Sequence, residues 1–124
     1  MGRGGAADEP MADTHLQFDL ADEIAQLRRE PDWSLGRKAR TLISAGDVRT
    51  VLMVLRANAQ IATHRAPGRI SIQTLEGRIQ VRAEGRTFSL PAGSLLTLER
   101  GVPHDVEAQA DSAFLLTVVL SAGS

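Results

Sequence analysis

The sequence contains no cysteine among its 124 residues. Disulfide bonds, thiolate metal sites and cysteine nucleophiles are therefore excluded. No apolar run approaches the roughly 18 residues that a membrane-spanning helix needs, and the N-terminus lacks the apolar core of a secretory signal. These absences predict a cytoplasmic protein that does not insert into a membrane.

The chain also has little net charge. Its 14 basic and 15 acidic residues leave a formal net charge of −1. This balance argues against broad electrostatic affinity for nucleic acid or for an anionic membrane, so neither is expected as a partner. The hydrophobic fraction of 43% and the charged fraction of 23% are ordinary for a soluble globular protein. The length suits one domain with a modest core.

The N-terminal part predicts a tail and then a helix. Residues 1–13 are rich in Gly, Ala, Asp and Pro without periodicity, which predicts a disordered tail. Residues 14–35 form a predicted helical segment, in which Asp19 can cap the helix start and Pro31 stops the helix. One apolar stripe, expected to pack on the body of the domain, follows the helical period: Leu20, Ile24 and Leu27.

Residues 36–121 are predicted to form one β-domain. Eight predicted strands lie at 38–44, 47–56, 69–75, 78–83, 87–90, 94–99, 104–108 and 113–120. Turn signals recur between them at the spacing typical of an antiparallel sandwich or barrel. The run from Val51 to Leu55 is apolar on both faces. That strand is therefore expected to be covered on both sides, with the helix or another subunit over its far side.

Two stretches of this β-domain carry recognisable motifs. One is "PAGSLLTLERGVPHDVEA" (91–108), with Pro91, Gly93 and His104, and the other is "LEGRIQV" (75–81). They resemble the second motif of the cupin family and the end of its first motif, respectively. The resemblance spans about residues 38–120. It implies an all-β fold, an antiparallel double-sheet cupin barrel of jelly-roll type, with one short N-terminal helix. Cupins include dioxygenases, isomerases, epimerases, sensors and storage proteins, so the fold does not imply one function.

The first motif departs from the family pattern. The resemblance puts His64 at the first histidine position, Ala66 at the second and Arg69 at the acidic position, so only His64 and His104 remain of four usual ligands. Catalytic metal sites normally use three protein ligands, and Arg69 beside the pair would repel a cation. The expected cofactor is none, or a divalent metal ion held by His64 and His104. Tyrosine, which epimerases of this fold tend to use with a histidine, is absent.

Strand alternation puts three polar residues, Arg69, Ser71 and Gln73, on one face of their strand. That face would line a polar cavity or be exposed to solvent, and the guanidinium of Arg69 suits an anion. The predicted ligand-binding residues are His64, Arg69, Ser71, Gln73 and His104. For His64 a second interpretation stays open, a strand-edge histidine bonded to backbone.

Three functions are compatible with these observations. The favoured one is a non-enzymatic binder or sensor of a small polar or anionic ligand in the barrel. The alternative is a metal-dependent cupin enzyme, an oxygenase or isomerase, that uses His64 and His104. The third is an interaction module that works through its sheets, and a homodimer is expected in each case.

Overall fold

The computed structural model describes residues 14–120, so the tail predicted at 1–13 lies outside the described residues. Helix α1 (Leu20–Arg28) and a 3₁₀ turn (Pro31–Leu35) precede the strands. The strands are β1 (Arg37–Ala45), β2 (Val48–Leu55), β3 (Gln60–His64), β4 (Arg69–Glu76), β5 (Arg78–Ala83), β6 (Arg86–Pro91), β7 (Leu95–Leu98), β8 (His104–Ala108) and β9 (Ser112–Val119). Neither helical element of this part of the chain is long and apolar enough to cross a membrane.

The strands form two antiparallel sheets. The five-stranded sheet has the order β1-β2-β9-β4-β7, and we call it the helix-bearing sheet. The four-stranded sheet has the order β3-β8-β5-β6, and we call it the histidine-bearing sheet. The predicted fold class, an all-β antiparallel double sheet with one short N-terminal helix, is therefore confirmed.

The eight predicted strands are all present, but β3 was not predicted. Its burial pattern explains the omission, because only Ile61 is half-buried and its other residues are exposed. Strand prediction from sequence depends on alternation between apolar and polar residues, and an exposed edge strand does not need that alternation.

The main hydrophobic core lies between the two sheets. Its buried members are Leu55, Ile70, Ile72, Ile79, Val81, Leu90, Val106, Ala108, Phe114 and Val118. They come from both sheets at alternating positions, as expected where two pleated faces pack together. Removing this apolar surface from water supplies most of the stabilisation of the barrel.

Helix α1 covers the outer face of the helix-bearing sheet. The Asp19 side chain caps the helix by accepting a hydrogen bond from the Asp22 amide at 3.1 Å. Ile24 and Leu27 are buried against Leu52 and other residues of the sheet. Of the two covers that the sequence left open for the strand at Val51–Leu55, the helix is therefore the one found in this chain.

Ion pairs join the helical segment to the edge strand β1. The Arg40 guanidinium donates to Glu23 at 2.8 Å and to Glu30 at 3.0 Å. The Lys38 amine lies 2.8 Å from carboxylate oxygens of both Glu30 and Asp32. These contacts complement the apolar stripe, because the stripe provides the burial while the ion pairs fix where the segment lies on the sheet.

The glycine that closes the first motif has a structural role. Gly77 joins β4 of one sheet to β5 of the other and has a φ of 75°, which favours glycine. A Cβ atom at this position would overlap the Asp111 carbonyl oxygen and the Ser112 hydroxyl. The motif glycine is therefore required by the backbone path between the sheets.

Candidate functional site

Two histidines lie side by side in the histidine-bearing sheet. Strands β3 and β8 are neighbours, and their register makes His64 and His104 cross-strand partners. The two ring centroids are 4.3 Å apart, with an angle of 57° between the ring planes. Two residues that lie far apart in the sequence thus form one cluster.

The same hydrogen bond orients both rings. Nδ1 of His64 lies 3.0 Å from the Ala62 carbonyl oxygen, and Nδ1 of His104 lies 3.0 Å from that of Val102. Because a carbonyl can only accept, each Nδ1 carries the proton and donates it. His64 is therefore bonded to backbone, as one of its two interpretations predicts, and its ring also lies beside that of His104. Its role in ligand binding stays a prediction.

The two histidines differ in burial. His104 is only 3% exposed, because β8 lies between β3 and β5. His64 is exposed, because β3 forms the edge of the sheet. One ring is thus part of the packed interior, while the other lies where the barrel meets solvent.

Both rings line a cavity inside the barrel. Its volume is about 80 Å³, and its remaining lining is apolar. The apolar lining residues are Met53, Ile61, Ile72, Val106, Phe114 and Leu116. Sequence reasoning did not name this lining as part of the site, although inward positions of alternating strands could have indicated it. The cavity thus combines two polar groups with an otherwise hydrophobic wall.

The polar face of β4 does not line this cavity. Ile70 and Ile72 point into the core, so Arg69, Ser71 and Gln73 lie on the opposite, outward face. The Arg69 Nε donates to both carboxylate oxygens of Glu99 at 3.2 Å. The expectation that these three residues share the site with the histidines is corrected on this point. Alternation correctly puts them on one face, but it does not say which face is inward.

This correction also changes the electrostatics of the histidine pair. Arg69 was expected to stand beside the histidines, to repel a cation and to favour an anion. Its guanidinium instead pairs with Glu99 on the outer surface, and its side chain is 60% exposed. Within residues 14–120, the side chains that line the cavity include no arginine or lysine.

Asp105, next to His104 in the chain, points away from the ring, as strand alternation predicts. Its carboxylate accepts a hydrogen bond from Arg82 Nε at 2.9 Å. Both residues border an open surface cleft of about 360 Å³ beside the β5–β6 turn, and His104 borders this cleft too. His104 therefore separates the inner cavity from the cleft, and no His–Asp dyad forms.

The histidine pair supplies part of a metal site. Donation from Nδ1 to backbone leaves Nε2 as the ligating nitrogen, which is the usual arrangement of metal-bound histidine. Over residues 14–120, however, no three His, Asp or Glu side chains are grouped so that they could hold an ion. The donors present amount to two of the three protein ligands that a catalytic site normally has.

Comparison with protein families gives one match. A family described as the AraC-like ligand binding domain matches residues 56–123, which include both histidines and every strand from β3 to β9. No curated protein matches the chain.

Solved structures match over nearly the whole chain. A conserved Streptococcus pyogenes protein of unknown function is 22% identical, with a TM-score of 0.71 over 95% of this chain and 97% of that one. A cupin superfamily protein from Desulfitobacterium hafniense is 14% identical, with a TM-score of 0.72 over 92% and 96%. A mutant of salicylate 1,2-dioxygenase from Pseudoaminobacter salicylatoxidans is 18% identical, with a TM-score of 0.73 over 95% of this chain and 37% of the enzyme. At these identities the likeness concerns the fold.

Proposed function

Because the chain belongs to the AraC-like ligand-binding domain family and has the cupin fold, we propose that it is a non-enzymatic binder or sensor of a small polar molecule. The ligand lies inside the barrel, where it contacts His64 and His104. The observation that carries this proposal is the inner cavity, whose wall is apolar except for these two adjacent imidazoles. Apolar pockets with a few polar groups that fix orientation are the usual form of small-molecule sites.

A polar ligand fits this cavity better than an anionic one. The sequence left both open because Arg69 was expected in the pocket. The Arg69 guanidinium is instead occupied by Glu99 on the outer surface. The proposed contacts are accordingly His64 and His104, and Arg69, Ser71 and Gln73 are left out of them.

A ligand screen on matched variants tests this function. A bound ligand raises the melting temperature of the folded protein by mass action. In a library of small polar metabolites, we expect compounds that stabilise the wild type but not His64→Ala. The variant Gln73→Ala, altered on the outward face of β4, should respond like the wild type. A library without any stabilising compound, or one whose hits stabilise His64→Ala equally well, would contradict the proposal.

A metal-dependent enzyme, an oxygenase or isomerase, is the second candidate. The Nδ1–carbonyl bonds support it, because they orient both rings as metal-ligating histidines are oriented. The two-ligand set argues against it. Elemental analysis of protein purified without chelators should find well below one equivalent of Fe, Zn, Mn, Ni or Cu per chain. Stoichiometric metal that is lost in His64→Ala would favour the enzyme.

The proposed working unit is a homodimer of the 36–121 barrel with its 14–35 helical segment. The doubly apolar strand no longer argues for a partner, because α1 covers its far side. Exposed Leu95 and Val119 on the outer face of the helix-bearing sheet support the dimer instead. Light scattering should give twice the chain mass, and a monomer mass at high concentration would contradict this part of the proposal.

A further inference from the structure

The chemistry of the inner cavity is set by the tautomer of its histidines. Both Nδ1 atoms donate to backbone carbonyls, so in the neutral ring both Nε2 atoms are hydrogen-bond acceptors. Two acceptors cannot bond to each other. Whatever molecule lies against both rings must therefore offer donors.

The rest of the cavity wall does not meet this need. The other lining side chains belong to Met, Ile, Val, Phe and Leu, which carry no donor. An acceptor that is removed from water without a donor costs free energy. A ligand with a donating end and an apolar body would satisfy both the imidazoles and the surrounding wall.

The volume limits the size of this ligand. A single water-sized group needs at least about 10–15 Å³. The observed cavity of about 80 Å³ therefore holds at most about five to eight such groups. A hexose has more non-hydrogen atoms than this, and ordinary drug-sized ligands need about 300–1,000 Å³.

Resting on the function proposed above, we infer that the ligand is a compact aliphatic alcohol or amine of at most about five to eight non-hydrogen atoms. Its hydroxyl or amino group donates to Nε2 of His64 or His104, and its branched apolar body fills the space beside Ile72, Phe114 and Leu116. A carboxylate of the same size is rejected, because it offers only acceptors to two acceptors.

Three compounds with the same carbon skeleton test this inference: isobutanol, isobutylamine and isobutyrate. Binding is measured by ligand-detected NMR titration, because ligands of this size bind weakly. The buffer is mildly alkaline and contains a chelator that removes metal ions. We expect isobutanol and isobutylamine to bind about tenfold or more tightly than isobutyrate, which corresponds to about 1.4 kcal/mol.

Two variants locate the binding. His64→Ala should weaken alcohol binding and so reduce the preference for the alcohol over the carboxylate, because it removes one of the two Nε2 acceptors. The variant should fold, since His64 is exposed on an edge strand. Ile61→Phe should weaken binding of all three compounds by filling the cavity. Gln73→Ala, the control, should bind like the wild type, since its side chain lies on the outer face of β4.

The outcomes separate this inference from the proposed function. Tighter binding of isobutyrate, or alcohol binding that is seen only when the chelator is left out of the buffer, would overturn the ligand class and leave a ligand-binding barrel. If none of the three binds but a larger polar metabolite binds in a His64-dependent manner, the ligand class again fails alone. If neither the three compounds nor the metabolite library binds in a His64-dependent manner, both proposals fail.

Discussion

The two sheets of the barrel differ in what they carry. The helix-bearing sheet has α1 packed on its outer face and the ion pairs of Lys38 and Arg40 along its edge. The histidine-bearing sheet has a charged, solvent-facing outer surface, where Arg82 pairs with Asp105, and it supplies both histidines of the cavity. Attachment of the helical segment is therefore concentrated on one sheet and the candidate chemistry on the other.

The comparison predicts that changes under the helix affect stability and leave ligand binding intact. Leu27 is 1% exposed and packs between α1 and the sheet. Leu27→Ala should lower the free energy of unfolding by about 3 kcal/mol in urea denaturation, the largest effect expected here, because it leaves a cavity. Binding measured on the folded fraction should be unchanged.

A control on the same helix keeps this prediction specific. Ala21 is exposed, so Ala21→Ser should change the free energy of unfolding by no more than about 0.5 kcal/mol. A Leu27→Ala loss as small as that of the control would mean that the helix contributes little to the barrel, and the contrast between the sheets would weaken.

His104 should be an exception to this division, because replacing it should affect both stability and ligand binding. It belongs to the candidate site, yet it is 3% exposed, and its Nδ1 donates a hydrogen bond to the Val102 carbonyl. His104→Ala should therefore lower the free energy of unfolding by about 2 kcal/mol, because it leaves a buried void and an unpaired carbonyl. It should also abolish ligand binding.

His64 provides the matched comparison on the neighbouring strand. Its ring makes the corresponding bond to Ala62, but it is exposed. His64→Ala should change the free energy of unfolding by no more than about 0.5 kcal/mol while weakening ligand binding. Equal destabilisation by the two variants would show that β3 is held as firmly as β8.

These two strands also show what the sequence could predict. β8 was predicted at its observed bounds, because its alternating burial appears in the sequence as alternating polarity. β3 was not predicted as a strand, since an edge strand exposed along most of its length has no such pattern. His64 was still named as a candidate site residue, because its position followed from the resemblance to the first cupin motif and did not depend on predicting the strand.

The inward face of β4 could not be chosen from its own residues. Period-two alternation grouped Arg69, Ser71 and Gln73 correctly, and it equally grouped the isoleucines between them. If β4 lined a polar cavity, the polar group would face inward. If β4 packed on an apolar core, the isoleucines would face inward. Packing against the histidine-bearing sheet decides for the isoleucines, which share one core cluster with Ile79 and Val106 of that sheet. That information is not local in the sequence.

Arg40 gives a smaller stability effect on the helix-bearing side. Its guanidinium joins β1 to Glu23 and Glu30 with side chains that are partly buried. Arg40→Ala should lower the free energy of unfolding by about 1 kcal/mol, and part of this loss should disappear at high salt. The control Arg69→Ala removes a more exposed pair with Glu99 and should cost about 0–0.3 kcal/mol. Equal losses of unfolding free energy in the two variants would contradict the prediction that the Arg40 ion pairs stabilise the fold more than an ordinary exposed pair.

The smallest expected effect is an acid dependence of stability, and it also arises at the edge of the helix-bearing sheet. Hydrogen bonds from the Lys38 amine hold the pKa of Asp32 and the pKa of Glu30 below their ordinary values. A lowered carboxyl pKa stabilises the folded state above the pKa of the unfolded chain, and this contribution is lost as pH falls through the folded value. Acidification below about pH 4 should therefore remove the contribution of both carboxylates.

Two variants of Lys38 isolate this contribution. Lys38→Met should lower the melting temperature slightly at neutral pH and should reduce the further loss on acidification, because the Lys38 hydrogen bonds that lower the pKa of Asp32 and the pKa of Glu30 are gone. Part of the lowering at Glu30 should remain, since Arg40 also pairs with that carboxylate. Lys38→Arg keeps the charge and donors, so it should retain the acid dependence of the wild type. These pairs are solvent-exposed, so the difference should amount to no more than about a few degrees. If Lys38→Met and the wild type lose stability in parallel between neutral pH and about pH 3, the acid sensitivity lies elsewhere in the chain.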